Sequence, residues 1–335
     1  MAGKEHTLPN GYVIRGIFEV VQTLGAGAFG AVYMVEDKRK GKKLAMKVEP
    51  AGLQTPFMKL ETYVLQRMQG MPHSLAFQAA GVQEENRYLI MQLAGENLSD
   101  LRKACPEGRI TLSTTLRIVR QCTEALRDLH SIGFIHRDVK PGNFALGRDP
   151  ENSRTVYLLD YGMAREIINP KTGTLRKKRK RCGFRGTPKY ASPNVHMNKE
   201  QGRHDDLYST FYMLIEFYYG SLPWSRSGNF KQLAELKLAV KQRTLIGNLP
   251  KEIYAVHNEL CKLKYEDVPD YDWFIEQYDK VMKMKGYSME APYDWEEGGE
   301  DYKHTVQQPH RQIINPYQSQ IEEQNDVVEE NDPEN

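Results

Sequence analysis

Ten residues, Phe134-Ile135-His136-Arg137-Asp138-Val139-Lys140-Pro141-Gly142-Asn143, constrain this chain more than any other stretch. They place the Asp138 carboxylate, the Lys140 ammonium and the Asn143 amide within six positions. Pro141 and Gly142 argue for a loop, so these groups can converge instead of spreading along a helix. A second carboxylate follows in Leu159-Asp160-Tyr161-Gly162. The set suits phosphoryl transfer. One carboxylate orients a hydroxyl nucleophile, while an amide oxygen and another carboxylate hold a hard cation against phosphate oxygens.

The pattern H-R-D-x-K-P-x-N followed by D-[FY]-G is the protein kinase signature, and the chain resembles that family from about Gly16 to Gly286. The resemblance implies an α+β, bilobal protein kinase fold using ATP and Mg2+. Residues 16–93 are expected as an N-lobe, a small antiparallel β-sheet with one helix. Residues 94–295 are expected as a larger, mostly α-helical C-lobe. The chain's 335 residues, 40% of them hydrophobic, suit two lobes plus a tail. Residues 1–15 read as an irregular lead-in, and 296–335, rich in Glu, Gln, Asn and Asp, as an acidic, disordered tail. That tail could fold onto a basic segment as a pseudosubstrate; a solvating tail is the plainer reading. By resemblance Asp138 is the general base or hydroxyl-orienting group, Lys140 neutralises γ-phosphate charge, and Asn143 and Asp160 ligate magnesium. Tyr161 replaces the usual phenylalanine and keeps an aromatic packing role. His136 and Arg137 read as structural.

In the expected N-lobe, Ile17–Leu24 and Ala31–Val35 read as strands around Gly25-Ala26-Gly27-Ala28-Phe29-Gly30. A lone GxGxxG is a weak signal, and a dinucleotide fold would run from its strand into a helix. Here β-formers follow, which fits the strand–loop–strand of a kinase glycine-rich loop. Its glycines let the backbone approach phosphates that a Cβ would block. Lys47 lies among apolar neighbours in the strand Lys42–Glu49, where a lysine needs a partner or a ligand. The resemblance gives it the ATP α/β-phosphates and a helix glutamate, Glu61, within the helical pattern 56–65. Arg87–Leu93 reads as a short buried strand leading to the hinge. There Met91 would back the adenine pocket, Gln92 and Leu93 would offer backbone groups to adenine, and Asp100 would reach the ribose. Leu24, Gly25, Gly27, Gly30, Val32, Ala45 and Ala145 complete the ATP site that the resemblance implies.

The segment after Gly162 carries six consecutive basic residues, Arg176, Lys177, Lys178, Arg179, Lys180 and Arg181, then Arg185 and Lys189. In a kinase this activation segment faces the substrate, and a positive platform there would favour acidic or phosphorylated protein substrates. A solvated loop, a nuclear localisation signal and a nucleic-acid patch are the other readings of the run. Most kinases end this segment with A-P-E, whose glutamate holds a distant arginine; this chain has Ser192-Pro193-Asn194. That departure, with Gly183–Thr187 and Tyr190–Ser192, resembles the casein kinase one group. Within it, Leu112–Arg117, Gly133-Phe134, Asn143–Ala145 and Gly202–Leu207 resemble the tau-tubulin kinase branch. Serine/threonine specificity and independence from activation-loop phosphorylation are implied. Ala239-Val240 stand where the branch has a basic residue and a tyrosine, which leaves Arg185 and Lys189 as the best anion candidates.

The remaining helices follow from apolar periodicity. Leu112, Leu116, Val119, Leu126 and Leu129 share one face of a helix capped by Thr111 or Ser113 and ended at Gly133. Asp206 should open a buried helix and accept backbone N–H groups of the catalytic loop. Further helices fit 230–243, 251–264 and 269–285, and Asp294-Trp295-Glu296 marks the domain's end. Net charge is only +2, so no global field points to nucleic acid. Cys105, Cys122, Cys182 and Cys261 are far apart and read as reduced thiols. The N-terminus opens no apolar run, so no signal peptide is expected, and without a run of about 18 apolar residues no membrane span is expected; the chain is expected to be cytoplasmic or also nuclear, and separately a monomer. A binding scaffold of kinase fold, a nucleic-acid-binding protein and a small-molecule kinase are the alternatives.

Overall fold

Strand formers fill the first ninety residues, and in the computed structural model, which describes residues 8–27, 30–50, 57–227 and 229–306, they form one antiparallel sheet. Its strands are β1 (Val13–Ile14), β2 (Phe18–Gly27), β3 (Gly30–Asp37), β4 (Lys42–Pro50), β5 (Phe77–Gln83) and β6 (Asn86–Gln92). The spatial order is β1-β2-β3-β4-β6-β5. Register sets the site, with Val32 opposite Lys47 and Ala45 opposite Met91. Two of these strands depart from the sequence reading. Val13 and Ile14, assigned to the lead-in, pair with β2. Phe77–Gln83 was not expected as a strand; its Ala79-Ala80-Gly81 run has weak β propensity, and pairing with β6 holds it in place.

One helix, α1 (Phe57–Arg67), follows β4. It buries Met58, Val64 and Leu65 on one face, and Glu61 falls on that same face. Helical spacing therefore carries a carboxylate into the apolar interior.

After the sheet the chain is mostly helical: α2 (Leu98–Ala104), α3 (Leu112–Ser131), α4 (Pro193–His196), α5 (Arg203–Tyr219), α6 (Phe230–Ala239), α7 (Gln242–Ile246), α8 (Lys251–Lys262), α9 (Tyr271–Lys285) and α10 (Tyr302–Val306). Two short ribbons interrupt it. β7 (Phe134–Ile135) pairs with β10 (Arg165–Glu166), and β8 (Phe144–Leu146) pairs with β9 (Val156–Leu158). The Thr111 side chain caps α3 by accepting the Thr114 N–H, and the expected leucine stripe is buried. The helix expected over 230–243 is two, because β-branched Val240 takes extended dihedrals after α6.

A single apolar cluster runs from Leu24, Val32 and Ala45 in the sheet through Leu116 and Leu126 of α3 to Phe211 and Phe217 of α5. Burying such side chains stabilises the fold by about 25 cal/mol per Å² of apolar area. The far face of the sheet holds a second cluster around Tyr33, Met46 and Ile90. All four cysteines are free thiols. No described helix is long and apolar enough to cross a membrane.

The fold extends past residue 295, which corrects the tail's expected start. Asp294 accepts Thr111 N–H, Thr111 Oγ1 and Thr114 Oγ1, each at 2.6 Å. Glu296 takes the Tyr293 N–H at 2.7 Å and pairs with Arg154 at 2.7 Å, and Thr305 of α10 is buried. The later tail lies outside the described residues, as do Ala28 and Phe29 of the glycine-rich loop.

Candidate active site

The cleft begins with Lys47, which β4 delivers to its inner face. Its Nζ lies 2.6 Å from Glu61 Oε1 on α1 and 3.5 Å from Asp160 Oδ1. Burial pushes the Glu61 carboxyl up to about 7 against the pull of Lys47. Burial also opposes the charge on Asp160, but Lys47 and the Gly162 N–H hold its carboxyl below the usual range. Leu24, Val32, Ala45, Met91, Leu93 and Ala145 fall in one apolar cluster. Gly25 and Gly27 end β2, and Gly30 opens β3. Gly30 sits at φ 151°, where a Cβ would lie 2.1 Å from the Val48 carbonyl oxygen, so no other residue fits. The Gln92 N–H is committed to the Ala76 carbonyl at 2.8 Å. Asp100 lies in the first turn of α2, 2.7 Å from Asn97 Nδ2.

The catalytic loop is tied to the core by one carboxylate. Asp206 of α5 accepts the N–H of His136 at 2.7 Å and of Arg137 at 2.9 Å, and contacts His130 Nε2 at 2.9 Å. Arg137 stands at φ 70° and Asp160 at φ 60°, the left-handed region that costs a side-chain-bearing residue of order 1–3 kcal/mol. The Asp206 bonds hold the first of these in place. His136 Nε2 contacts the Leu159 carbonyl at 3.0 Å, and its ring meets Tyr161 edge-on. Both residues serve as scaffold.

Asp138, Lys140 and Asn143 converge. Asn143 Nδ2 donates to the Asp138 carbonyl at 2.8 Å and to Asp138 Oδ2 at 3.2 Å. Lys140 Nζ lies 3.4 Å from the same oxygen. Thr187 Oγ1 donates to Asp138 Oδ1 at 2.7 Å. This contact depends on Gly186, at φ 110°, whose Cβ would stand 2.4 Å from the Arg137 carbonyl oxygen. The activation segment thus passes directly against the catalytic loop.

Asn143 Oδ1 is buried without a hydrogen-bond partner among the described residues. Such an oxygen is costly unless something coordinates it. Among the described residues no group of three His, Cys, Asp or Glu is placed to hold a metal. Asn143 and Asp160 therefore fit a hard cation whose other ligands are phosphate oxygens and water.

The basic run does not form one platform. The Arg176 guanidinium pairs with Glu166, and Lys178 with Glu266 at 2.7 Å. Arg179 reaches Glu200 with Nε at 2.8 Å and Nη2 at 3.1 Å, and Arg165 joins at 3.4 Å. Burial, with Arg165, Arg179 and Arg185 close by, brings the Arg137 guanidinium down to about 9. Lys177, Lys180 and Arg181 are exposed and Arg185 half-buried. Lys189, expected as an anion-binding residue, is turned inward, 2.5 Å from the buried Glu216. Tyr190 Oη donates to Glu216 at 2.6 Å, and Arg102 approaches it at 3.6 Å. Neither Glu200 nor Glu216 was singled out from the sequence. For Glu216 the available signal was a carboxylate within the apolar second half of a buried helix.

Asp138 beside Lys140 and Asn143, with Lys47 bridged to Glu61 and close to Asp160, is an arrangement suited to phosphoryl transfer. The family model described as "Protein kinase domain" matches residues 18–268. The chain is 37% identical over 286 residues to a Dictyostelium discoideum protein named as a serine/threonine-protein kinase, covering 85% of this chain and 58% of that protein. It is 34% identical over 308 residues to a Caenorhabditis elegans protein assigned by name to casein kinase I, covering 90% and 89%. A third relative, the serine/threonine-protein kinase spe-6 of the same nematode, is 35% identical over 287 residues, covering 83% and 75%. The chain belongs to the protein kinase family, and with these relatives it falls in the protein serine/threonine kinase class.

Proposed function

We propose that this kinase transfers the γ-phosphoryl group of ATP, with Mg2+, to serine or threonine hydroxyls of proteins, favouring acidic or already phosphorylated sites. The observation that carries the reading is the buried Asn143 Oδ1, without a partner among the described residues, on an amide that donates to Asp138. Asn143 and Asp160 would hold Mg2+, which when bound neutralises phosphate charge. Lys47 would bind the α/β-phosphates, with Glu61 fixing its position. Leu24, Val32, Ala45, Met91 and Leu93 would enclose the adenine. Asp138 would accept the proton of the incoming hydroxyl, and Lys140, buried 3.4 Å away, would face the transferring group. Positioned proton transfer of this kind is worth about a hundredfold to ten-thousandfold.

A finer assignment, to the casein kinase one group near the tau-tubulin branch, is supported by Ser192-Pro193-Asn194 and by the nematode relative assigned to casein kinase I. The preference for acidic sites rests on Lys177, Lys180 and Arg181, exposed on the substrate-facing segment. The test is transfer from Mg-ATP to dephosphorylated casein by wild type and Asp138→Asn. Transfer by wild type alone supports the reading. Equal transfer by both would remove Asp138 from it, and none by either would point to a scaffold.

A further inference from the structure

Lys237 is one of only two residues that α6 buries; the other is Leu233, one turn earlier on the same face. A lysine at an apolar helix position, 3% exposed, is expensive, and burial pulls its pKa well below the ordinary lysine value. Its neighbours offset that cost. Nζ donates to the Pro188 carbonyl at 2.6 Å and to the Ala191 carbonyl at 2.6 Å. It lies 5.0 Å from the ring centroids of both Tyr212 and Trp224, a cation–π cage built by α5 and the turn after it. His196 Nε2 stands 3.3 Å away and itself contacts the Pro188 carbonyl at 3.1 Å. Burial and the neighbouring Lys237 bring the His196 imidazole down to about 4, so this histidine is neutral and adds no second charge.

The two carbonyls bracket a tight turn. Tyr190 and Ala191 N–H both donate to the Thr187 carbonyl at 3.0 Å, and Trp224 Nε1 donates to the intervening Lys189 carbonyl at 2.8 Å. The outward carbonyls of residues 188, 189 and 191 are thus collected by one ammonium and one indole. The residue that opens the turn, Thr187, hydrogen-bonds Asp138. Ser192-Pro193-Asn194 lacks the glutamate that most kinases use to anchor this point.

We infer that Lys237 is a positioning residue for the protein substrate, which clamps the turn 187–191 so that the chain beside Asp138 keeps the geometry an incoming hydroxyl needs. This rests on the kinase reading above, which places substrate along that segment. The loss expected on removing Lys237 is selective. The Ala191 carbonyl loses its side-chain donor, the Pro188 carbonyl keeps only His196, and the turn loosens, while Lys47, Asn143 and Asp160 are untouched.

The experiment compares Lys237→Met with wild type, full chain, in two measurements. Hydrogen exchange should quicken about tenfold at the Tyr190 and Ala191 amides and stay unchanged in α3 and α5. In steady-state transfer to an acidic peptide, peptide KM should rise about tenfold while ATP KM stays within about twofold. Lys237→Arg, which restores a cation with several donors, should recover at least part of the peptide KM. Unchanged exchange at Tyr190 and Ala191, or an equal rise in ATP and peptide KM, would overturn the inference. Should wild type transfer no phosphate at all, the kinase reading fails while the exchange measurement still decides whether Lys237 clamps the turn. Should the Met variant not fold, Trp224→Phe keeps a ring against Lys237 and removes only the indole donor. A rise of about threefold in peptide KM or in loop exchange is then expected, and no change in either would count against the clamp.

Discussion

The nucleotide cleft and the substrate segment are built with opposite charge ratios. In the cleft one lysine, Lys47, faces two carboxylates, Glu61 and Asp160, and Lys140 faces Asp138. Three carboxylates therefore meet two lysines. Along the substrate segment Glu200 receives Arg165 and Arg179, and Glu216 receives Lys189 and Arg102. There each carboxylate meets two cations. Each region keeps a formal residue of charge, negative in the cleft and positive on the segment, and that residue suits what it would receive. A divalent cation complements the first and an acidic peptide the second. The cleft is also left incomplete, with Asn143 Oδ1 unpartnered, whereas the segment's buried acids are saturated by the protein itself.

The largest test of this contrast is Asp160→Asn, which lowers the cleft's negative excess. Activity should fall about a thousandfold, and the Mg2+ concentration for half-maximal rate should rise, with melting temperature little changed. A modest loss with unaltered Mg2+ dependence would remove Asp160 from the cation site.

Glu61→Gln sharpens the picture, because there activity and stability should part. Losing the partner of Lys47 should lower kcat/KM about a hundredfold, since small misplacements near the chemistry are that costly. Stability should not fall. Glu61 titrates near 7 in the folded protein against 4.5 ordinarily, so between these values the native state binds its proton more tightly than the unfolded chain. Its contribution to stability is therefore lost as pH rises through that window, while the charged ion pair with Lys47 forms. The wild-type rate should climb through about pH 7 as thermal stability declines, and the Gln variant should lack both trends. Calorimetry and a pH–rate profile check this; a Gln variant that melts several degrees lower would break it.

On the segment side Glu216→Gln takes the carboxylate from Lys189 and Tyr190, while Arg102 keeps the Gly108 and Gly220 carbonyls. Weakening a buried hydrogen-bonded acceptor costs about 1–3 kcal/mol, which urea titration would read as a lower midpoint at unchanged slope. The smallest effect belongs to the exposed cations. Replacing Lys177, Lys180 and Arg181 together with Gln should slow transfer to an acidic peptide about fivefold, leave a neutral peptide unaffected and leave stability unchanged. Equal slowing on both peptides would sever those residues from substrate choice.

Motif spacing made the cleft legible. Lys47, Asp138, Asn143 and Asp160 are short-range patterns whose chemistry is specific, and Glu61 follows from helical period once α1 is placed. The partner of Lys189 was not legible, because nothing local to it shows that Glu216, 27 residues later, is buried beside it. Lys237 escaped for a similar reason. Its spacing of four from Leu233 puts it on the buried face, but only the fold shows which carbonyls meet it there. The basic run read as one patch because sequence shows like charges together and hides the acids, Glu166, Glu200 and Glu266, that come to them from elsewhere.

Helix α5 works as a ruler. Asp205 receives the Ser192 hydroxyl, Asp206 holds the catalytic loop, and Glu216 holds Lys189 and Tyr190. Ten residues separate Asp206 from Glu216, a rise of about 15 Å at 1.5 Å per residue. The interval between the loop that carries Asp138 and the turn that carries Lys189 and Tyr190 is therefore measured out by helix geometry, not by loop length. One residue inserted between them would advance Glu216 by about 1.5 Å and swing it about 100° around the axis. Loops elsewhere in the molecule can lengthen without disturbing that interval; this helix cannot.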